Sequence, residues 1–138
     1  MMLEVSDTEL AAARADAEAL MVDGCVVTRP GGDPVFDEDT GRYVDPPPVT
    51  VYSGECQVQV RGDGSASDVA AGEREATVQR PVVKLPVSSS TGVRVGNTVT
   101  VTHAEHDAEL LGRKFRVNAL HHKTFATSRR LRCEEVTG

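Results

Sequence analysis

The chain has no tryptophan, and only three phenylalanines and two tyrosines among 138 residues. A core built mainly of large aromatic side chains is therefore not expected. Positive charge is also in deficit, with 15 Lys+Arg against 21 Asp+Glu and a net charge of −6. Affinity for phosphates comes mainly from cationic neutralisation, so this balance argues against a tight nucleic-acid binder. Three cysteines, Cys25, Cys56 and Cys133, leave at least one unpaired and contain no C-x-x-C, which excludes a fully paired disulfide framework. No apolar run approaches the ~20 residues a membrane-spanning helix needs. The first residues hold neither a basic region nor an apolar run, so no signal peptide is expected. These absences predict a soluble, cytoplasmically made domain with reduced cysteines and no membrane association.

Several catalytic signatures are missing too. There is no G-x-S-x-G elbow, no G-x-x-x-x-G-K-[ST] loop and no H-E-x-x-H stretch, the patterns that respectively expose a serine, cradle phosphates or hold a catalytic zinc. The expectation is that the protein is not an enzyme and uses no cofactor.

What is present is valine, alanine and a change of period. A chain of this length can bury roughly 70% of its unfolded surface, enough for one core, and residues 1–138 read as a single domain. The stretch "SDTELAAARADAEALMVDG" predicts a helix over 6–22. Ser6 and Glu9 have capping-box spacing, Gly24 is placed for a left-handed C-terminal cap, and Leu10, Ala13, Ala17, Leu20 and Met21 share one face, with Arg14, Asp16 and Glu18 elsewhere.

From residue 25 the period becomes two. "CVVTRP" reads as a short strand. "DPVFDEDTGRYVDPPP" carries turn chemistry at Asp39, Thr40 and Gly41 and a proline stop, so that Phe36 and Tyr43 can flank a small hairpin within a loop over 30–48. "VTVYSGECQVQVR" is the clearest strand, with Cys56, Val58 and Val60 facing one way and Gln57, Gln59 and Arg61 the other. "GDGSASDVAAGE" loses all periodicity and reads as a mobile loop over 61–73. "REATVQRPVVKLPV" resumes alternation, and Pro81 and Pro86 demote it to an edge or bulged strand. "GVRVGNTVTVTH" places Val93 and Val95 before a Gly96-Asn97 turn and Val99 and Val101 after it. "GRKFRVNAL" puts Phe115, Val117 and Ala119 on one face. The sum is a mainly β fold over 25–136: a small antiparallel barrel or sandwich of about six strands, with an N-terminal helix and long loops.

The densest chemistry lies in "HHKTFATSRRLRCEEV". A zinc reading would combine His103 and His106, which have H-x-x-H spacing, with His121, His122 and Cys133. Adjacent His121 and His122 would point to opposite faces of a strand, and Cys133 is in phase with Leu131 as a small buried hydrophobe. All three cysteines lie among apolar companions, which predicts inert thiols with raised pKa. A single-strand-binding barrel would need aromatics set in a cationic groove. Here only Arg129, Arg130 and Arg132 cluster, and Glu134 and Glu135 lie close enough to compensate Arg132. The favoured reading is a final hairpin with its turn at 124 to 128, Leu131 and Cys133 inward, and charge outward.

Across these strands the chain resembles the head-closure, or head-to-tail connector, proteins of long-tailed bacteriophages, in an actinobacteriophage-type version. The carriers are "VRVGNTVTV…LLGRKFRVNALHHKTFATSRRLRCEEV" together with "ALMVDGCVVTRP", "DEDTGRYVDPPPVTVYSGECQVQV" and "AGEREATVQRPVVKLPV". The resemblance implies a stopper: a six-fold ring homo-oligomer between the portal–adaptor complex and the tail terminator or tail tube. Such a ring closes the DNA channel after packaging, lets double-stranded DNA pass without specific binding, and is assembled in the host cytoplasm to end in the neck of the virion. On that reading Asp63, Ser65, Asp68 and Glu73 are candidates for a lumen-facing gate. Phe36, Asp39 and Tyr43 are candidates for a partner-contact arm, and Arg129, Arg130, Arg132 and Glu134 for contacts between subunits. The neighbouring alternative is a tail terminator or another neck connector. A zinc or thiol enzyme, or a single-strand-binding barrel, is the remote one.

Overall fold

A computed structural model describes residues 6–60 and 80–136. The first element, α1 (Asp7–Ala19), starts as its sequence dictates. Ser6 Oγ accepts from the Glu9 backbone N–H at 3.1 Å, and Glu9 Oε1 accepts from that of Ser6 at 3.3 Å, a reciprocal capping box. Its other end departs from expectation. The helix closes at Leu20 in a right-handed conformation, with the Leu20 N–H bonded to Ala17. Gly24 is not a cap. It is already in the first strand, and a Cβ there would stand 3.2 Å from that of His103. The buried face is also rotated: Leu20 is 61% exposed while Met21 is buried, and Leu10, Ala13, Arg14, Ala17 and Glu18 are half-buried. The helix is held by Arg14, whose Nε donates to the Ala126 carbonyl at 3.0 Å.

The remaining elements are β1 (Asp23–Arg29), β2 (Val35–Asp37), β3 (Arg42–Val44), β4 (Val49–Gln59), β5 (Val82–Leu85), β6 (Thr98–His103), a short 3-10 helix (Ala108–Leu110), β7 (Lys114–His121) and β8 (Arg129–Val136). Six strands close into an antiparallel barrel in the order β1-β4-β5-β8-β7-β6, and β2 and β3 form a separate two-stranded sheet. Valine and cysteine fill the interior: Cys25, Val27, Cys56, Val83, Val99, Val101, Val117 and Cys133 pack around Tyr52, Leu85, Phe115 and Leu131. Six strands enclose so narrow a space that small β-branched side chains suffice, and the shortage of aromatics is no handicap.

Closure explains where the strand pattern departs from its local reading. β5 is neither edge nor bulged: it pairs with β4 on one side and β8 on the other. Its two prolines stand just outside its four residues, where no ladder N–H is needed, and the Pro81 carbonyl still accepts from Cys133 N at 3.0 Å. The segment before the Gly96-Asn97 turn is not a strand. Val93 is buried there and Val95 is 60% exposed, with Asn97 Oδ1 accepting from Arg94 N at 2.8 Å. In β7 the pairing with β8 slips between Val117 and Ala119. This bulge reverses the phase, so Ala119 faces out opposite Arg132 and Leu120, opposite Leu131, packs on the core. In β4 and just past it the expected alternation holds, with Cys56 buried and Val58 and Val60 packed against the core, although Gln57 and Gln59 are themselves half-buried.

Candidate functional site

Two surface features stand out, and both begin in local sequence. The first is an arm. Its strands pair in register, Val35 with Val44, Phe36 with Tyr43 and Asp37 with Arg42. The turn between them is closed by the Gly41 N–H donating to Asp37 at 2.8 Å and by Gly41 at φ 71°, a conformation that glycine adopts without a Cβ penalty. Phe36 and Tyr43 meet edge to face with ring centroids 5.2 Å apart, a favourable aromatic geometry. Val35, Phe36, Tyr43 and Val44 are nonetheless 61%, 49%, 72% and 49% exposed. The arm is pinched at its base, because Gly31 lies against the carbonyls of Pro46 and Pro47 where a Cβ would overlap the Pro47 oxygen. Residues 33–45 carry Asp33, Asp37, Glu38, Asp39 and Asp45 against Arg42 alone. The candidate contact residues Phe36, Asp39 and Tyr43 are thus together on one projecting, apolar and acidic element.

The second feature is the β7–β8 turn. It forms a pocket of about 210 Å³ whose lining includes His121, His122, Lys123, Ala126, Ser128 and Arg130, with no acidic residue. Phe125 beside it is 49% exposed. Arg130 and Arg132 point outward on β8. Arg129 does not join them: its guanidinium donates to Ser90 Oγ at 2.8 Å and to the Val87 carbonyl at 2.9 Å. Ser90 is buried and itself donates to the Pro86 carbonyl at 2.5 Å. Desolvation lowers the Arg129 pKa. Arg129 is an internal clasp that fastens the 86–92 loop to β8. Glu134 lies 3.7 Å from Arg116 across the strands and Glu135 is engaged by both arms of the Arg113 guanidinium, so these carboxylates are spoken for by β7 and its approach and do not compensate Arg132. The Glu135 carboxyl is held below its usual range by the hydrogen bond from Arg113. Arg113 also lies over the Phe115 ring, 5.8 Å from its centroid.

The gate candidates Asp63, Ser65, Asp68 and Glu73 lie outside the described residues. The histidines fall into separate neighbourhoods. His103 Nε2 meets Glu105 Oε1 at 3.0 Å and lowers that carboxyl's pKa, while His122 Nδ1 sits 3.5 Å from Arg129. Among the described residues no group of three or more His, Cys, Asp or Glu converges as a metal site would require. Cys25, Cys56 and Cys133 are buried and free. Burial pushes the Cys133 thiol up to about 12. Cys56 is raised further by its hydrogen bond with Cys25 and by burial. No described helix is long and apolar enough to cross a membrane. Sequence reasoning found the arm from its turn and paired aromatics. It missed the turn pocket, whose only local signal was a run of basic residues around Phe125.

Comparison with known proteins gives a family and a fold. The model of a family of unknown function, DUF6093, matches residues 13–134. No curated protein matches the chain. The solution structure of protein SF1141 from Shigella flexneri 2a is similar in fold, with a TM-score of 0.56 at 11% identity over 83% of this chain and 92% of that one.

Proposed function

We propose that this chain, which belongs to the family of unknown function DUF6093, is a structural component of a bacteriophage neck: a stopper that assembles as a ring between the portal–adaptor complex and the tail. The observation that carries the reading is the exposed acidic-aromatic arm. A hairpin with four large apolar side chains in solvent contributes nothing to its own barrel's core, and exposed apolar surface of this kind marks an interaction site. A closed barrel leaves no strand edge free, so contacts to neighbours fall to the arm, loops and turns. The whole-chain resemblance to head-closure proteins supplies the setting: host cytoplasm during assembly, the virion neck afterwards. The net charge of −6 suits a ring through which DNA slides, because weak repulsion prevents sticking. In this reading the protein performs no chemistry; it binds neighbours and blocks or opens a channel.

The test is a phage carrying an early stop codon in this gene, grown on a non-suppressing host and imaged by electron microscopy. Free tails beside heads that packaged and then lost their DNA are expected. Heads that retain DNA but lack tails would move the role to tail joining, as for a tail terminator. Normal infectious particles would overturn a neck role.

A further inference from the structure

Chain order around the barrel sets the arm and the turn pocket on opposite walls. In the closed order β1-β4-β5-β8-β7-β6, the strand three places from β1 is β8, and the strand three places from β4 is β7. The arm leaves from the end of β1 and returns at the start of β4, where Arg29 pairs with Val49. The pocket lies between β7 and β8. The two also share one end of the barrel. Thr28 pairs with Thr98, Thr98 pairs with Arg116, and β7 continues from there to His121 at the pocket.

Their chemistry is complementary. The arm presents five carboxylates and one arginine with exposed Phe36 and Tyr43. The pocket presents Lys123, Arg130, His121 and His122 around Ala126, beside exposed Phe125. None of Asp33, Glu38, Asp39 or Asp45 forms an ion pair among the described residues, and neither does Lys123, Arg130 or Arg132.

We infer that the arm of one copy docks into the β7–β8 turn pocket of a second copy. Rings of aromatic and aliphatic side chain meet Phe125 and the pocket floor while Glu38 and Asp39 face Lys123 and Arg130. Donor and acceptor surfaces differ and lie on opposite walls, so one pair of copies cannot make the contact twice and the contact is head-to-tail. Such a contact repeated about an axis yields a ring or an open filament, never an isolated two-fold dimer. With arm and pocket on opposite walls toward the same end of the barrel, successive copies can pass the contact on around a ring. The inference deepens the stopper reading and rests on its ring, but commits to a particular interface.

Charge reversal with complementation tests it on the full-length protein by sedimentation velocity at low ionic strength. One form carries Glu38→Lys and Asp39→Lys on the arm, and the other carries Lys123→Glu and Arg130→Glu at the pocket. All four side chains are on the surface, so circular dichroism should show both forms folded. The wild-type chain is expected to self-associate with increasing concentration. Each form alone faces like charge and should associate at least about tenfold more weakly. A 1:1 mixture pairs each arm with a pocket of opposite sign and should regain most of the wild-type association. Three outcomes would each overturn the interface: wild-type protein that stays monomeric at several hundred micromolar (~−5 kcal/mol or weaker), association indifferent to the substitutions, or a mixture no stronger than its parts. The stop-codon phage reads separately. Defective necks with a monomeric chain would remove this interface alone, and normal phage with complementing variants would remove the neck role alone.

Discussion

At the scale of residues, the barrel depends on treating cysteine and tyrosine as apolar filler. Tyr52 is buried with its hydroxyl donating to the Glu55 carbonyl at 2.6 Å, and desolvation pushes its pKa up to about 12. Cys133, up to about 12, and Cys56 are shifted the same way. The consequence for stability has a definite sign. A group whose folded pKa is raised binds its proton more tightly in the native state, so the unfolded state releases protons first as pH rises, and stability falls. The melting temperature should therefore be flat from about pH 6 to pH 8 and decline above about pH 9, where unfolded thiols and then phenols ionise. A calorimetric series across that range checks it, and a flat profile to pH 11 would contradict the assignment. The same burial predicts that a thiol reagent at neutral pH reacts with Cys25, Cys56 and Cys133 only after denaturant is added.

At the scale of elements, the arm is the piece most in need of support. An isolated two-stranded hairpin is marginal in water, and this one has the Phe36–Tyr43 contact, its turn and a tight base. That base is set by Gly31. The obstruction there is backbone, the carbonyl of Pro47, flanked by prolines whose fixed φ leaves little room to yield. Gly31→Ala should therefore cost about 1–3 kcal/mol and loosen the arm. Limited proteolysis should then cleave within residues 33–45 faster than in the wild type, while the barrel remains resistant. Equal cleavage rates and an unchanged melting temperature would mean that the base gives way freely. The helix α1 contrasts with the arm: its capping box makes it start crisply, yet none of its residues is buried, so it decorates the barrel and is fastened at Arg14 and Met21.

At the scale of the whole molecule, closure and charge decide what can be bound. With every barrel strand paired on both sides, association by adding strands to the barrel is blocked, and the proposed ring has the arm and turns to be made through. The negative balance of the chain predicts negligible affinity for DNA. A fluorescently labelled duplex should show no salt-dependent anisotropy change with micromolar protein at physiological ionic strength. Binding that weakens steeply with added salt would instead point to the basic β8 face as a phosphate-binding surface.

How much of this was legible in the sequence varies with range. The capping box, the hairpin of Phe36 and Tyr43, the inward phase of Leu131 and Cys133 and the β character of the chain followed from residues within a few positions of one another, because caps, turns and period-two burial are local properties of the backbone. Four things did not. Pro81 and Pro86 suggested an edge, and closure put β5 in the middle of the sheet. The bulge after Val117 exchanged Ala119 for Leu120, which only the partner strand's register could specify. Gly24 passed from helix cap to strand because His103 packs against it from 79 positions away. Arg129 turned from surface cation to clasp because the loop bearing Ser90 and Val87 folds over it. The opposition of arm and pocket belongs with these. The sequence by itself determined what each segment could be, and only the tertiary structure decided which segments meet, since long-range pairing is selected by the shared burial of the closed barrel and leaves no period in any one stretch of chain.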